Sequence, residues 1–301
     1  MPNPLDEILA GTPFLMEPEH GKKVLAAAVE LENEVRILRS RGQLEPQTLA
    51  RLRQEWGFLQ VHESTAIEGN ELSLNETEMA ILRSITITGK PPKHSLEVRN
   101  LHAALEFLES LAETNGALTE HEICNIHNLV LGAEDRDAGR YRTIEVAITN
   151  SPHKPPMAIA VPSEMQKLVD WLRTRSSQLP VPLVAAVTHA WLVHIHPFAD
   201  GNGRTARAVT NLLLMRAGFP VVLIRKSDRQ RYYETLRAAD DGDLGPVLEL
   251  FVNRSQDSLR QIDRIRFSAA QINNAIIQVQ AAERQRFQIF SSSYCGVDLR
   301  L

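Results

Sequence analysis

The run His196-Pro-Phe-Ala-Asp-Gly-Asn-Gly-Arg-Thr-Ala-Arg207 holds an imidazole, a carboxylate, two glycines and two guanidinium groups within twelve residues. A plain link between helices needs only a glycine and a polar cap. Gly201 and Gly203 flank Asn202, and glycines let successive N–H groups converge into an anion-binding nest. The same Gly-Asn-Gly run also suits a tight turn. Arg204 and Arg207 are three apart, so on a helix they share one face near its positive end. Two cations there are locally unfavourable, and a bound phosphate would remove the conflict. Asp200, just ahead, is placed either to hold Mg2+ beside phosphate oxygens or to cap the helix. His196 can accept a proton near neutral pH, the task of a general base toward a hydroxyl. Phe198, apolar in a polar loop, is expected to bury its ring and leave His196 pointing outward. His189 and His194 read as packing or hydrogen-bonding residues. The alternative, a metal cluster of His189, His194, His196 and Asp200, lacks an HExxH spacing.

Elements on both sides must hold this run in place. Residues 181–193 and 208–215 are apolar and read as two core helices, the second starting near Arg204. Upstream, helical spacing covers 25–38 and 45–62, with Pro46 at a first helical position. Ser73 or Asn75 offers an N-cap for the next helix, and Gly89–Pro92 is a break before a helix over 95–113. Thr119 and Glu122 have capping-box spacing. Residues 138–162 change character: β-branched residues alternate around a proline-rich centre, which predicts a short β-hairpin or extended flap. Ser163 is expected to cap a helix running to about Arg175. Two further helices follow, split at 240–245, then a long polar helix over 255–290 and a frayed end. The expected fold is all-α with one small β-flap. Its regions are an N-terminal helical part over 1–115, a core over 116–254, and a C-terminal helix and tail over 255–301.

Composition narrows the function classes. An apolar fraction of 43% supports a buried core, and the low aromatic share of 5% with abundant Leu and Ala leans helical. The net charge of −4 gives no basic field for nucleic acid and no polybasic membrane signal. Cys124 and Cys295 form no CxxC pair and read as reduced thiols. The first residues lack a basic n-region and an apolar h-region, and no apolar run reaches the ~18 residues that span a bilayer. A soluble cytoplasmic protein is the expectation.

The run from His196 to Arg207 resembles the Fic family signature, HPFxDGNGRxxR, at every fixed position. Ser64-Thr-Ala-Ile-Glu-Gly-Asn70 is similar to the family's inhibitory [S/T]xxxE[G/N] motif. Residues 139–143 and 153–156 resemble the approach to, and the tip of, the family's flap. The resemblance covers most of 60–250. It implies a helical core with a β-flap, and transfer of AMP from ATP to Ser, Thr or Tyr hydroxyls of proteins. By that likeness His196 is the base and Asp200 holds Mg2+. Gly201, Asn202, Gly203, Arg204, Thr205, Ala206 and Arg207 bind the phosphates of ATP, and Tyr232 and Tyr233 lie where an adenine-side contact is often placed. Glycine at 203 keeps room for the α-phosphate, which favours nucleotidyl over phosphoryl transfer. Ser64, Glu68 and Gly69 form the brake, with Glu68 occupying Arg207 in place of the γ-phosphate. The flap aligns a protein target by strand addition. Auto-modification and a homodimer are also implied. Two other functions fit the same residues: hydrolytic AMP removal with Glu68 aligning a water, and a non-enzymatic nucleotide sensor.

Overall fold

Prolines and caps divide the chain into helices, and burial decides how they stack. The structure, a computed structural model, describes residues 4–42, 45–114, 116–148 and 151–266. The helices are α1 (Pro4–Ile8), α2 (Pro18–Ser40), α3 (Pro46–Ile67), α4 (Leu74–Leu82), α5 (Pro92–Ala112), α6 (Glu120–Leu131), α7 (Val161–Arg175), α8 (Val181–Ile195), α9 (Asn202–Arg216) and α10 (Arg229–Asp240). A last helix, α11, runs over 245–266. It continues through Ser255, where the sequence suggested a fresh start, and the expectations for 267–290, the chain end and Cys295 lie outside the described residues. Among the described residues no helix is long and apolar enough to cross a membrane.

Local chemistry sets the boundaries. Pro46 begins α3 as expected, and Ser73 with Glu76 and Thr119 with Glu122 close reciprocal capping boxes on α4 and α6. Ser163 does not cap α7. That helix starts at Val161 with a proline in its first turn, and the Ser163 hydroxyl donates back to the Ala160 carbonyl at 2.9 Å.

The core centres on α8, which is buried all round from Pro182 to Leu192. Its most extensive partner is α9. From α2, the Glu32 carboxylate accepts from the Val181 N–H at 2.8 Å and satisfies a first-turn donor of α8.

His189 sits at the α8–α9 contact, fully buried. The Thr210 hydroxyl donates to Ala206 O at 2.7 Å, so it accepts from His189 Nδ1 at 3.0 Å. The other ring nitrogen then accepts from the Tyr232 hydroxyl at 2.8 Å. Burial, and then the nearby Arg207 guanidinium, lower the His189 pKa to about 3. The folded state therefore keeps this ring neutral while the unfolded chain protonates below pH ~6.5. The unfolded state binds more protons in that range, so stability falls as pH drops from about 6.5 toward 3. The slope from this residue is on the order of 1 kcal/mol per pH unit. Urea midpoints measured between pH 4.5 and 7.5 should show that slope, and His189→Leu should flatten it while lowering stability at every pH. An unchanged slope in the variant would remove His189 as its source.

The segment expected as a short β-hairpin or extended flap shows no hairpin among the described residues. Over 138–157 no strand forms among the described residues, whose one β-pairing is an isolated bridge between Leu15 and Asp243. Pro152, Pro155 and Pro156 remove the N–H donors a ladder would use. The chain there is held by a side chain instead. Arg142, 4% exposed, donates to the carbonyls of His196, Ile144 and Pro156, and its own N–H donates to Pro197 O. One guanidinium thus gathers residues 144 and 156 against the α8–α9 turn.

Candidate active site

The α8–α9 turn is built to a fixed shape. His196 ends α8 in the left-handed region, at φ 50 and ψ 58. Pro197 disfavours the α conformation at the residue before it, so the helix stops there. Phe198 is fully buried and stacks on the His127 ring, with centroids 3.6 Å apart. The Asn202 carboxamide clasps the Phe198 backbone, accepting from its N–H at 2.9 Å and donating to its C=O at 2.8 Å. Asn202 therefore offers a ligand its main-chain N–H, because its side chain closes the loop. Gly201 has φ 75, and a Cβ there would lie 3.1 Å from Leu131 Cδ2. Both the backbone conformation and the space call for glycine.

The start of α9 presents donors. The first intrahelical donor is Thr205 N–H to Gly201 O at 2.9 Å, and the N-cap Gly201 has no side chain to contribute. The amides of Asn202, Gly203 and Arg204 come before that bond, at the positive end of the helix dipole. Arg204 is 5% exposed, with Nε buried and without a hydrogen-bond partner, as is the Thr205 hydroxyl. Ala206 is fully buried and contributes through helix packing. Such donors suit an anion with several oxygens.

Arg207 points the other way, into α3. Gln60 and Ser64 on α3 and Glu68 at its C-cap lie four apart on one stripe facing α9. Arg207 Nη2 donates to Glu68 Oε1 and to the Ser64 carbonyl, both at 2.8 Å, and its Nε donates to Ser64 Oγ at 2.8 Å. Gln60 meets Asn211 at 3.0 Å one turn further along. A Schellman cap aims Glu68: Gly69 N–H donates to Ala66 O and Asn70 N–H to Thr65 O, with Gly69 at φ 101. The Glu68 carboxylate lies so close to the start of α9 that a Cβ on Gly203 would be 2.3 Å from Oε1. Glycine at 203 leaves room at that spot, and here the carboxylate fills it.

His196 borders an open cleft of about 870 Å³, also lined by Glu68, Asp200, Gly203, Tyr232 and Tyr233. His196 Nδ1 lies 3.3 Å from the Val193 carbonyl, which can only accept, so the proton sits on Nδ1 and Nε2 is free. Burial lowers the His196 pKa, and the Arg142 charge adds to the effect. The ring is a neutral base at physiological pH. Asp200 carries an 80% exposed carboxylate, with one oxygen accepting from Gly201 N–H and 3.5 Å from Arg204 Nη2. It does not cap the amides of α9. A single exposed carboxylate beside phosphate donors fits Mg2+, which takes one or two carboxylates and phosphate oxygens. Tyr232 is buried and bonded to His189, while Tyr233 is half-buried with the Arg229 guanidinium 5.1 Å from its ring centroid.

The histidine set weighed as a metal cluster is not brought together. Both nitrogens of His189 are used within the core, and His194 pairs with Asp240. Two supporting residues were not singled out in the sequence. His127 Nδ1 accepts from Gly139 N–H at 2.9 Å, so its Nε2 donates to the Asp200 carbonyl at 3.0 Å. Burial lowers its pKa to about 4, keeping it neutral under the loop. Arg142 is the other. The repeated basic residues of Gly139-Arg-Tyr-Arg-Thr143 were the only trace of it.

Comparison with known proteins bears on this site directly. The Fic/DOC family matches residues 117–214. A solved structure of Fic-1 from Caenorhabditis elegans superposes with a TM-score of 0.73 at 34% identity, over 82% of this chain and 73% of that one. This chain belongs to the Fic family. Protein adenylyltransferase Fic of Nematostella vectensis is 40% identical over 68% of this chain and 48% of its own length. Protein adenylyltransferase fic-1 of Caenorhabditis elegans is 35% identical over 84% of this chain and 50% of its own length. The chain thus spans about half the length of the curated relatives it matches. The Fic match takes in α6, α8 and nearly all of α9, together with His127, Arg142 and the whole His196–Arg207 turn.

Proposed function

We propose that this Fic chain is a protein adenylyltransferase that moves AMP from ATP to a protein hydroxyl. The observation that carries the reading is one convergence. A neutral imidazole with a free Nε2 borders the same cleft as the uncapped amides of α9 and the buried Arg204. The names of the relatives agree with it.

The chain's own groups divide the work. His196 Nε2 takes the proton of the attacking hydroxyl. That oxygen bonds to the α-phosphorus, the bond to the β-phosphate oxygen breaks, and pyrophosphate leaves. The amides of Asn202, Gly203 and Arg204 and the Arg204 guanidinium orient the phosphates and balance their charge. Asp200 would hold Mg2+, which supplies charge neutralisation between phosphate oxygens when bound. Tyr232 and Tyr233 are the proposed adenine-side wall. The main chain of residues 143–148 and 151–156 would receive a target strand. Exposed Ile144 and Met157 flank it. Arg207 would take the γ-phosphate once Glu68 moves away, so the resting chain is braked by its own carboxylate.

Position of the label separates transfer of AMP from transfer of phosphate. With Mg2+ and ATP labelled at the α-phosphorus, the Glu68→Gly protein should become labelled and gain the mass of one AMP. ATP labelled at the γ-phosphorus should leave it unlabelled. Incorporation of γ-label would replace this reading with a kinase.

A further inference from the structure

His153, His194 and Asp240 meet beside the cleft, from three elements far apart in sequence. They are the one group among the described residues with three metal-ligand side chains in reach, one ligand atom from each lying within 4.8 Å of the others. Asp240 Oδ1 is 2.9 Å from His194 Nδ1 and 3.6 Å from His153 Nδ1. The three side chains are 9%, 19% and 13% exposed, so the cluster is largely removed from water, and Asp240 lines the cleft. Nothing in the proposed transfer reaction uses it.

The hydrogen bond behind His153 distinguishes this cluster from a chance grouping. His153 Nε2 lies 2.9 Å from the His194 carbonyl. A carbonyl only accepts, so Nε2 carries the proton and Nδ1 presents its lone pair toward Asp240. A ring nitrogen donating to a backbone carbonyl while the other faces a ligand position is the usual support of a metal-bound histidine. Two imidazoles and one carboxylate suit zinc, with water at the fourth position. Tetrahedral zinc with bonds near 2.05 Å sets its ligand atoms about 3.3 Å apart. The distances of 2.9 and 3.6 Å to Asp240 straddle that value.

We propose that His153, His194 and Asp240 form a zinc site that clips the extended segment to the core. His153 lies in that segment, His194 near the end of α8, and Asp240 at the end of α10. His194 stands two residues before His196, so the clip would fix the target-docking segment relative to the base. Arg142 fastens the segment at Ile144 and Pro156, and the zinc clip would add a third point between them.

Zinc binding to the whole chain, without nucleotide, tests the site independently of the transfer reaction. Competition against a chromogenic zinc indicator should give one tight equivalent in the wild type. His153→Ala and Asp240→Asn should each weaken that equivalent by at least about 100-fold, while Asp200→Asn should keep it. Circular dichroism should show both variants folded. ZnCl2 should also slow amide hydrogen exchange across 151–158 in the wild type and leave it unchanged in His153→Ala. A wild type that takes up no tight zinc would make the cluster a hydrogen-bonded His–Asp–His clamp and overturn the proposal. Uptake undiminished in both variants would place the zinc elsewhere and overturn it equally.

Discussion

Glu68→Gly should raise self-modification with Mg2+ and ATP by about tenfold to a hundredfold. The estimate follows from what the nucleotide must displace. In the resting chain Arg207 Nη2 is held 2.8 Å from Glu68 Oε1, and Ser64 takes two further donors. A γ-phosphate seeking Arg207 has to break the Glu68 contact and approach a carboxylate of like charge. A hydrogen bond to a charged group is worth about 1.5–3 kcal/mol, or roughly one to two powers of ten in occupancy. The substitution carries a cost in the absence of ligand. Arg207 is 8% exposed at its side chain, and it loses its counter-charge. Since Glu68 itself is 36% exposed and Ser64 remains, the loss should be about 1–2 kcal/mol, below the 3–5 kcal/mol of a fully buried pair. ATP should then raise the melting temperature of the variant more than that of the wild type. Intact mass against time gives the rate, and thermal melts with and without ATP give the linkage. Equal rates in the two proteins would mean that the contact is structural and does not restrain transfer.

The same contact shows why part of this site could be read in advance. Ser64, Glu68 and Gly69 stood out through the likeness of Ser64–Asn70 to the inhibitory motif, and the structure adds that α3 extends past 62, so that Gln60, Ser64 and Glu68 share one face before the Gly69 stop. Likewise Gly-Asn-Gly before an apolar run fixes a helix start, and Phe198 in a polar loop had to bury its ring. His127 and Arg142 were invisible for the opposite reason. Each acts through backbone carbonyls distant in sequence: Asp200 O for one, and His196 O and Pro156 O for the other. A carbonyl has no residue type, so no motif announces such a bond. Of the two forms expected for 138–162, the hairpin does not form among the described residues, because three prolines outweigh the alternating β-branched residues. Without donors at 152, 155 and 156, guanidinium bonds replace the ladder.

In the Glu68→Gly background, His196→Ala should lower transfer by at least about 1000-fold, the upper part of the range that general-base catalysis supplies. Nucleotide affinity should stay within about twofold, because the phosphates are proposed to rest on the amides of α9 and on the arginines. The backbone consequences are separable. His196 is left-handed at φ 50, a conformation alanine tolerates less well than asparagine. The carbonyl that receives Arg142 belongs to the main chain and survives either change. His196→Asn therefore serves as the companion: it should match alanine in lost turnover and stay closer to the parent in melting temperature. The pH profile adds a third reading. Burial and then Arg142 hold the ring below its ordinary pKa, so the parent rate should be flat at neutral pH and fall only on the acid side of pH ~6.5. That acid limb should vanish from the residual rate of both variants. Turnover above about a tenth of the parent would strip His196 of the base role. Loss of nucleotide binding together with turnover would make the imidazole part of the phosphate cradle instead.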